Sequence, residues 1–161
     1  MSTTQIKAKL RLVNSGGHRW LPNDGKPIIG VNEGEDRNEN PYVVLRTVRY
    51  LHGLLSAIVI PRNFHTDLGS IPWLLKIIPG FRPTDPGKRA FLVHDWCYRK
   101  QLDDRRLIDA VMYAALVADG MAKWQAFLCW AGVRLFGWKA WNENQRRQNR
   151  EKANAEPTQP Q

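Results

Sequence analysis

The feature that most constrains this chain is a change of hydrophobic period. Before Pro61 the apolar residues alternate with polar ones or gather in β-branched and aromatic stretches, whereas after Lys88 they recur at every third and fourth position. Alternation buries one face of a strand, and three-and-four spacing lays a stripe along one side of a helix. The chain is therefore predicted to be α+β, with N-terminal β strands and a hairpin packed with a C-terminal helical hairpin plus a third helix. Ile6 to Leu12 reads as a strand, and "GVNEGEDRNENP" (30–41), which has no apolar period, as a solvent-exposed loop. "YVVLRTVRYL" and "LLSAIVI" form the predicted hairpin, turning near His52 and Gly53 and ended by Pro61. "FHTDLGSIPWLL" follows as a structured connection, and "IPGFRPTDPG" as a loop punctuated by Pro and Gly.

Past Lys88, Ala90, Phe91, His94, Cys97 and Tyr98 share one helical face, which turns His94 and Tyr98 towards the core. Asp103 or Asp104 can N-cap a second helix whose inner face carries Ile108, Asp109, Met112, Tyr113 and Leu116, and Gly120 closes it. So short a connection makes the two helices antiparallel and brings Asp109 opposite His94. A third helix, about Ala122 to Trp141, is predicted to bury Trp124, Phe127, Leu128, Ala131 and Leu135. The expected organisation is one α+β domain over 1–141 and a flexible, polar, basic tail over 142–161, whose composition cannot offset the entropy of ordering.

Lysine and arginine total 24 against 15 acids, a net charge of +9, which favours an anionic partner such as nucleic acid or lipid headgroups. The basic tail is a candidate for nucleic acid. Cys97 and Cys129 fall in apolar helical patterns and read as small hydrophobes of a reducing compartment. The first residues alternate basic and apolar instead of building a signal-peptide core, and no apolar run approaches the roughly 20 residues that span a bilayer. No transmembrane segment is expected, and synthesis is expected in the cytoplasm.

One constellation carries chemistry. A histidine serves as a base near neutral pH when a second group fixes its tautomer and stabilises its cation, and Asp109 can do this for His94. Tyr98, one turn on, can donate its hydroxyl to the same carboxylate. Asp95 lies about 100° around the helix, facing the loops, where it can offer oxygens to a hard cation such as calcium. Asp67, Asp85 and the carbonyls of 84–87 are the sources of further ligands. Thr66 and Ser70 are further candidates for the cleft.

Two resemblances follow from these residues. "IVIPRNFHTDLGSIP", "FLVHDWCYRK", "RRLIDAVMYAAL" and "AGVRLFGWKAW" resemble a domain-of-unknown-function family of tailed phages and prophages. Its pattern falls on Pro61, Phe64, Thr66, Asp67, Gly69, Ser70, Ile71 and Pro72, then His94, Asp95, Tyr98 and Asp109, then Val133, Arg134, Phe136 and Gly137. That resemblance implies a phage protein, made in the host cytoplasm and associated with virion or tail proteins. More locally, His-Asp-x-x-Tyr followed by a helical aspartate is similar to the phospholipase A₂ core. The similarity implies His94 as base, Asp95 as calcium ligand, Asp109 orienting the histidine and Tyr98 supporting it. The glycine-rich calcium loop of that family is absent, and "PTDPGKRA" supplies one glycine.

Each signal also has a structural reading. His94, Tyr98 and Asp109 can simply tie two helices together, in a virion or tail-associated component without catalysis. Asp67 and Ser70 can cap turns, with Pro72 opening a helix. Trp130, Trp138 and Trp141 with Arg134 and Lys139 read either as an aromatic, basic patch for anionic lipid or as helix core and solvated flank. A metal phosphohydrolase of the His-Asp type would need further histidines, and His18, His52 and His65 are not spaced to provide them.

Overall fold

The structure, a computed structural model, describes residues 17–21, 27–52, 55–68 and 87–155. The predicted strand at 6–12, together with Gly69, Ser70, Ile71, Pro72 and Asp85, lies outside them.

Among the described residues the first half holds two antiparallel three-stranded sheets. One has the order β1 (His18–Leu21), β4 (Val48–His52), β5 (Leu55–Ile60); the other has β2 (Ile29–Val31), β3 (Tyr42–Val44), β6 (His65–Thr66). The β4–β5 hairpin occurs where the alternation predicts it, with Tyr50 opposite Ile58 and a bulge between Tyr50 and His52, and it ends before Pro61. The upstream stretch is different. Residues 42–51 do not form one strand, because the backbone of Val44 bonds in both directions to the 63–64 turn and Leu45 N–H bonds to Ile28 O. β3 thus belongs to one sheet and β4 to the other, while Val44, Val48 and Tyr50 all reach the core. The 30–41 stretch begins as strand β2 and continues as a turn. Asn32, 5% exposed, holds that turn through bonds to Asp36, to Asn40 O and from Gly34 N.

Among the described residues four helices follow: α1 (Lys88–Lys100), α2 (Arg105–Ala118), α3 (Lys123–Phe136) and α4 (Trp138–Ala155). Strands and helices in this order make the fold α+β, as the change of period requires. α1 buries the expected face and α2 starts at Asp104, whose carboxylate accepts from Arg106 N. Gly87 opens α1 at φ 121°, and a Cβ there would stand 2.9 Å from Leu116 Cδ2, so a glycine lets α1 begin directly against α2. Cys97 and Cys129 are buried free thiols, with burial pushing Cys97 up to about 12 and Cys129 to about 11.

α3 corrects two expectations. It buries Ala126, Cys129, Gly132 and Val133, while Trp124, Phe127, Leu128 and Leu135 are exposed. The helix is apolar almost all round, so period alone cannot choose its face. Small side chains let it lie close on the rest of the bundle, and the large ones turn outward. The helix also closes at Phe136, and residues 142–155, expected as a flexible tail, belong to α4. α4 has no buried residue, but it is fastened to α1: Gln101 Nε2 donates to Trp141 O, and Gln148 Nε2 donates to Arg99 O. Composition does not reveal such bonds. No helix among the described residues is long and apolar enough to cross a membrane.

Candidate functional site

Antiparallel packing of α1 on α2 brings together the three residues that the spacing predicted would meet. His94 Nε2 lies 2.9 Å from Asp109 Oδ1, and the Tyr98 hydroxyl donates to the same oxygen at 2.7 Å. The other carboxylate oxygen, Oδ2, accepts from Arg134 Nη1 of α3 at 2.8 Å and has Arg105 Nε at 3.9 Å. Asp109 is fully buried and Arg134 partly exposed, so one carboxylate joins three helices. Burial by itself would raise the Asp109 pKa; the bond and charge of His94 and the bonds from Arg134 and Tyr98 outweigh it and hold the carboxyl below its ordinary value. An ionised carboxylate only accepts, so His94 must carry its proton on Nε2, and in the neutral ring Nδ1 is left as the basic nitrogen. Burial, and then the Asp109 charge, raise the Tyr98 pKa, so the phenol remains a donor.

Tyr98 is held from every side. Its ring lies 4.1 Å from that of His94 and meets Trp141 edge-on at 5.1 Å, while Arg105 Nε donates to its oxygen at 3.1 Å. Gly137 makes room for it. A Cβ there would stand 3.0 Å from Tyr98 Oη and 2.5 Å from Val133 O, so the α3–α4 junction can cross this point only without a side chain.

The neighbouring aspartate is engaged differently. Asp95 Oδ2 accepts from the Thr66 hydroxyl, whose oxygen in turn accepts from Leu68 N at 2.9 Å. Asp95 Oδ1 accepts from Arg99 Nε at 3.2 Å, and Arg99 Nη2 donates to Asn40 Oδ1 at 2.6 Å. Burial raises the Asp95 pKa; the Arg99 charge lowers it less than burial raises it, and the nearby Asp67 adds to the rise. Leu68, buried with φ 59°, is a side chain held in the left-handed region immediately after Asp67. His94, Asp95, Tyr98 and Asp67 line one pocket of about 360 Å³, together with Phe136, Gly137 and the α4 residues Asn144 and Arg147.

Calcium does not suit the described part of this pocket. It takes about six to eight oxygens, while both oxygens of Asp95 are bonded and a guanidinium stands beside them. Among the described residues no three His, Cys, Asp or Glu side chains converge on a metal position. The aromatic and basic residues expected as a patch are divided: Trp141 and Arg134 serve Tyr98 and Asp109, while Trp138 is exposed beneath Lys139.

A family model described as a protein of unknown function matches residues 42–133, more than half of the chain. The chain belongs to the DUF1353 family. The DUF1353 segment contains Thr66, Asp67, His94, Asp95, Tyr98, Arg99, Arg105 and Asp109, and it stops one residue before Arg134. No curated protein and no solved structure matches the chain. Sequence reasoning missed Arg99, Arg105 and Asn40 as members of this site. Two of them carried a signal, since Asp95–Arg99 and Arg105–Asp109 are opposite charges at i,i+4, one above the other on a helix.

Proposed function

We propose that this protein is a phage-encoded hydrolase of lipid or other esters, acting during cell penetration or lysis. The observation that carries the reading is His94: Nε2 is fixed by an ionised, buried Asp109, while the residue lines a pocket large enough for an acyl ester. In this reading His94 Nδ1 takes the proton of a water as that water attacks the ester carbonyl, and Asp109 stabilises the imidazolium. Arg99 and Arg147, on the wall of the same pocket, supply positive charge for the oxyanion that develops.

Fatty acid released from mixed phospholipid vesicles, with and without added calcium, tests this against a His94→Gln control. Release by the wild type and none by a folded His94→Gln supports the reading. No release, with a lowered melting temperature for His94→Gln, overturns it. The second outcome would favour a non-catalytic virion or tail-associated component, a role also consistent with the bonds that make Asp109 a tie between α1, α2 and α3.

A further inference from the structure

Beside the His94 pocket runs a second concavity of about 550 Å³ between α1 and α4, floored by Phe64 and Trp96 and walled by Arg99, Lys100, Arg147 and Lys152. Arg99 and Arg147 line both, so the two spaces adjoin. The four cations are not neutralised alike. Arg147 Nε has Glu151 at 3.3 Å, and Arg99 has Asp95, but aromatic rings also hold two of the cations. The Arg99 guanidinium lies 5.0 Å from the centre of the Phe64 ring and Lys100 Nζ 5.2 Å from that of Trp96. The two rings meet edge-to-face at 4.9 Å. A ring face positions a cation without cancelling its charge, so the groove holds fixed positive charge for an anion. The bond from Gln148 Nε2 to Arg99 O holds α4 beside α1 and keeps both walls in place.

We propose that the α1–α4 groove binds the phosphodiester backbone of single-stranded nucleic acid. Cations from both α1 and α4 face the groove, where successive phosphates can meet them, and the Asn144 amide lines the same groove for a base or sugar edge. The inference is independent of ester hydrolysis at His94.

The test is fluorescence anisotropy of a labelled oligothymidylate with the full chain over a salt series. Arg99 and Arg147 are paired with Asp95 and Glu151, which leaves Lys100 and Lys152 for phosphate. Two phosphate contacts give a slope of log K against log salt of about −1.4, so affinity falls about seven-fold between about 50 and 200 mM. Lys100→Ala should weaken binding and reduce the fall to about three-fold, Glu151→Gln should tighten it, and Lys123→Ala, outside the groove, should change neither. Failure of the oligonucleotide to bind overturns the proposal. So does binding whose salt slope is the same in Lys100→Ala and Lys123→Ala, or capture of the chain by phosphatidylglycerol vesicles with no affinity for the oligonucleotide.

Discussion

Replacing Asp109 with Asn keeps the shape of a fully buried side chain and removes its charge, which isolates what that charge does. The carboxylate has donors on both oxygens: His94 and Tyr98 on one, Arg134 on the other. An amide has a single oxygen, so an Asn that keeps His94 and Tyr98 must point its NH₂ at the Arg134 guanidinium. Removing one partner of a buried ion pair costs about 3–5 kcal/mol. Arg134 and Arg105 retain some access to water, with side chains 26% and 18% exposed, which places the loss near the lower end, about 3 kcal/mol. For a chain of this length that lowers Tm by about 6–12 °C. The pH dependence follows from the direction of the shift. The folded-state pKa of Asp109 lies below its unfolded value, so its contribution is fully present above the unfolded pKa, near 3.9, and is lost as pH falls through the folded one. Denaturant titrations of wild type and Asp109→Asn should therefore differ most at neutral pH and converge below about pH 4. A variant within about 0.5 kcal/mol of wild type at pH 7, or a gap that stays constant into acid, would refute the assignment of an ionised tie.

Asp95, equally an aspartate in the core, should behave in the opposite way. Burial raises its folded pKa, so the ionised form opposes folding above that pKa and the wild type gains stability as pH falls through it towards the unfolded value. Asp95→Asn should thus cost less than about 1 kcal/mol at pH 7, and its stability relative to wild type should fall as the pH is lowered; a loss equal to that of Asp109→Asn would be inconsistent with this. Gly137→Ala should cost about 1–3 kcal/mol, because the new methyl meets Val133 O and Tyr98 Oη, and an unchanged Tm would show that the junction is not tight there.

How much of this was legible beforehand depends on the range of the interaction. His94 and Tyr98 stand one turn apart, Asp109 faces them from the next helix, and the capping Asp104 and the β4–β5 hairpin follow from local spacing. Each is fixed by a periodicity of 3.6 or 2 that operates within a few residues. The Arg99 partner of Asp95, at i+4 on the same helix, was legible in the same way, whereas its Thr66 partner comes from β6, 29 residues away, and local spacing does not reach it.

By itself, the sequence determined the order of strands and helices, the buried face of α1 and α2, and the pairing of His94 with Asp109. Tertiary structure alone decided which side of α3 is buried, where residues 42–51 divide between two sheets, and that residues 142–155 are helical. The physical reason is the same in all three cases. A helix that is apolar all round, a β-rich run with two available sheets and a polar segment with no stripe each have several local solutions of similar free energy. Contacts distant in sequence select among them: the small side chains of α3 at its buried face, the bonds of Val44 and Leu45 to Phe64 and Ile28, and the amides of Gln101 and Gln148 that hold α4 on α1.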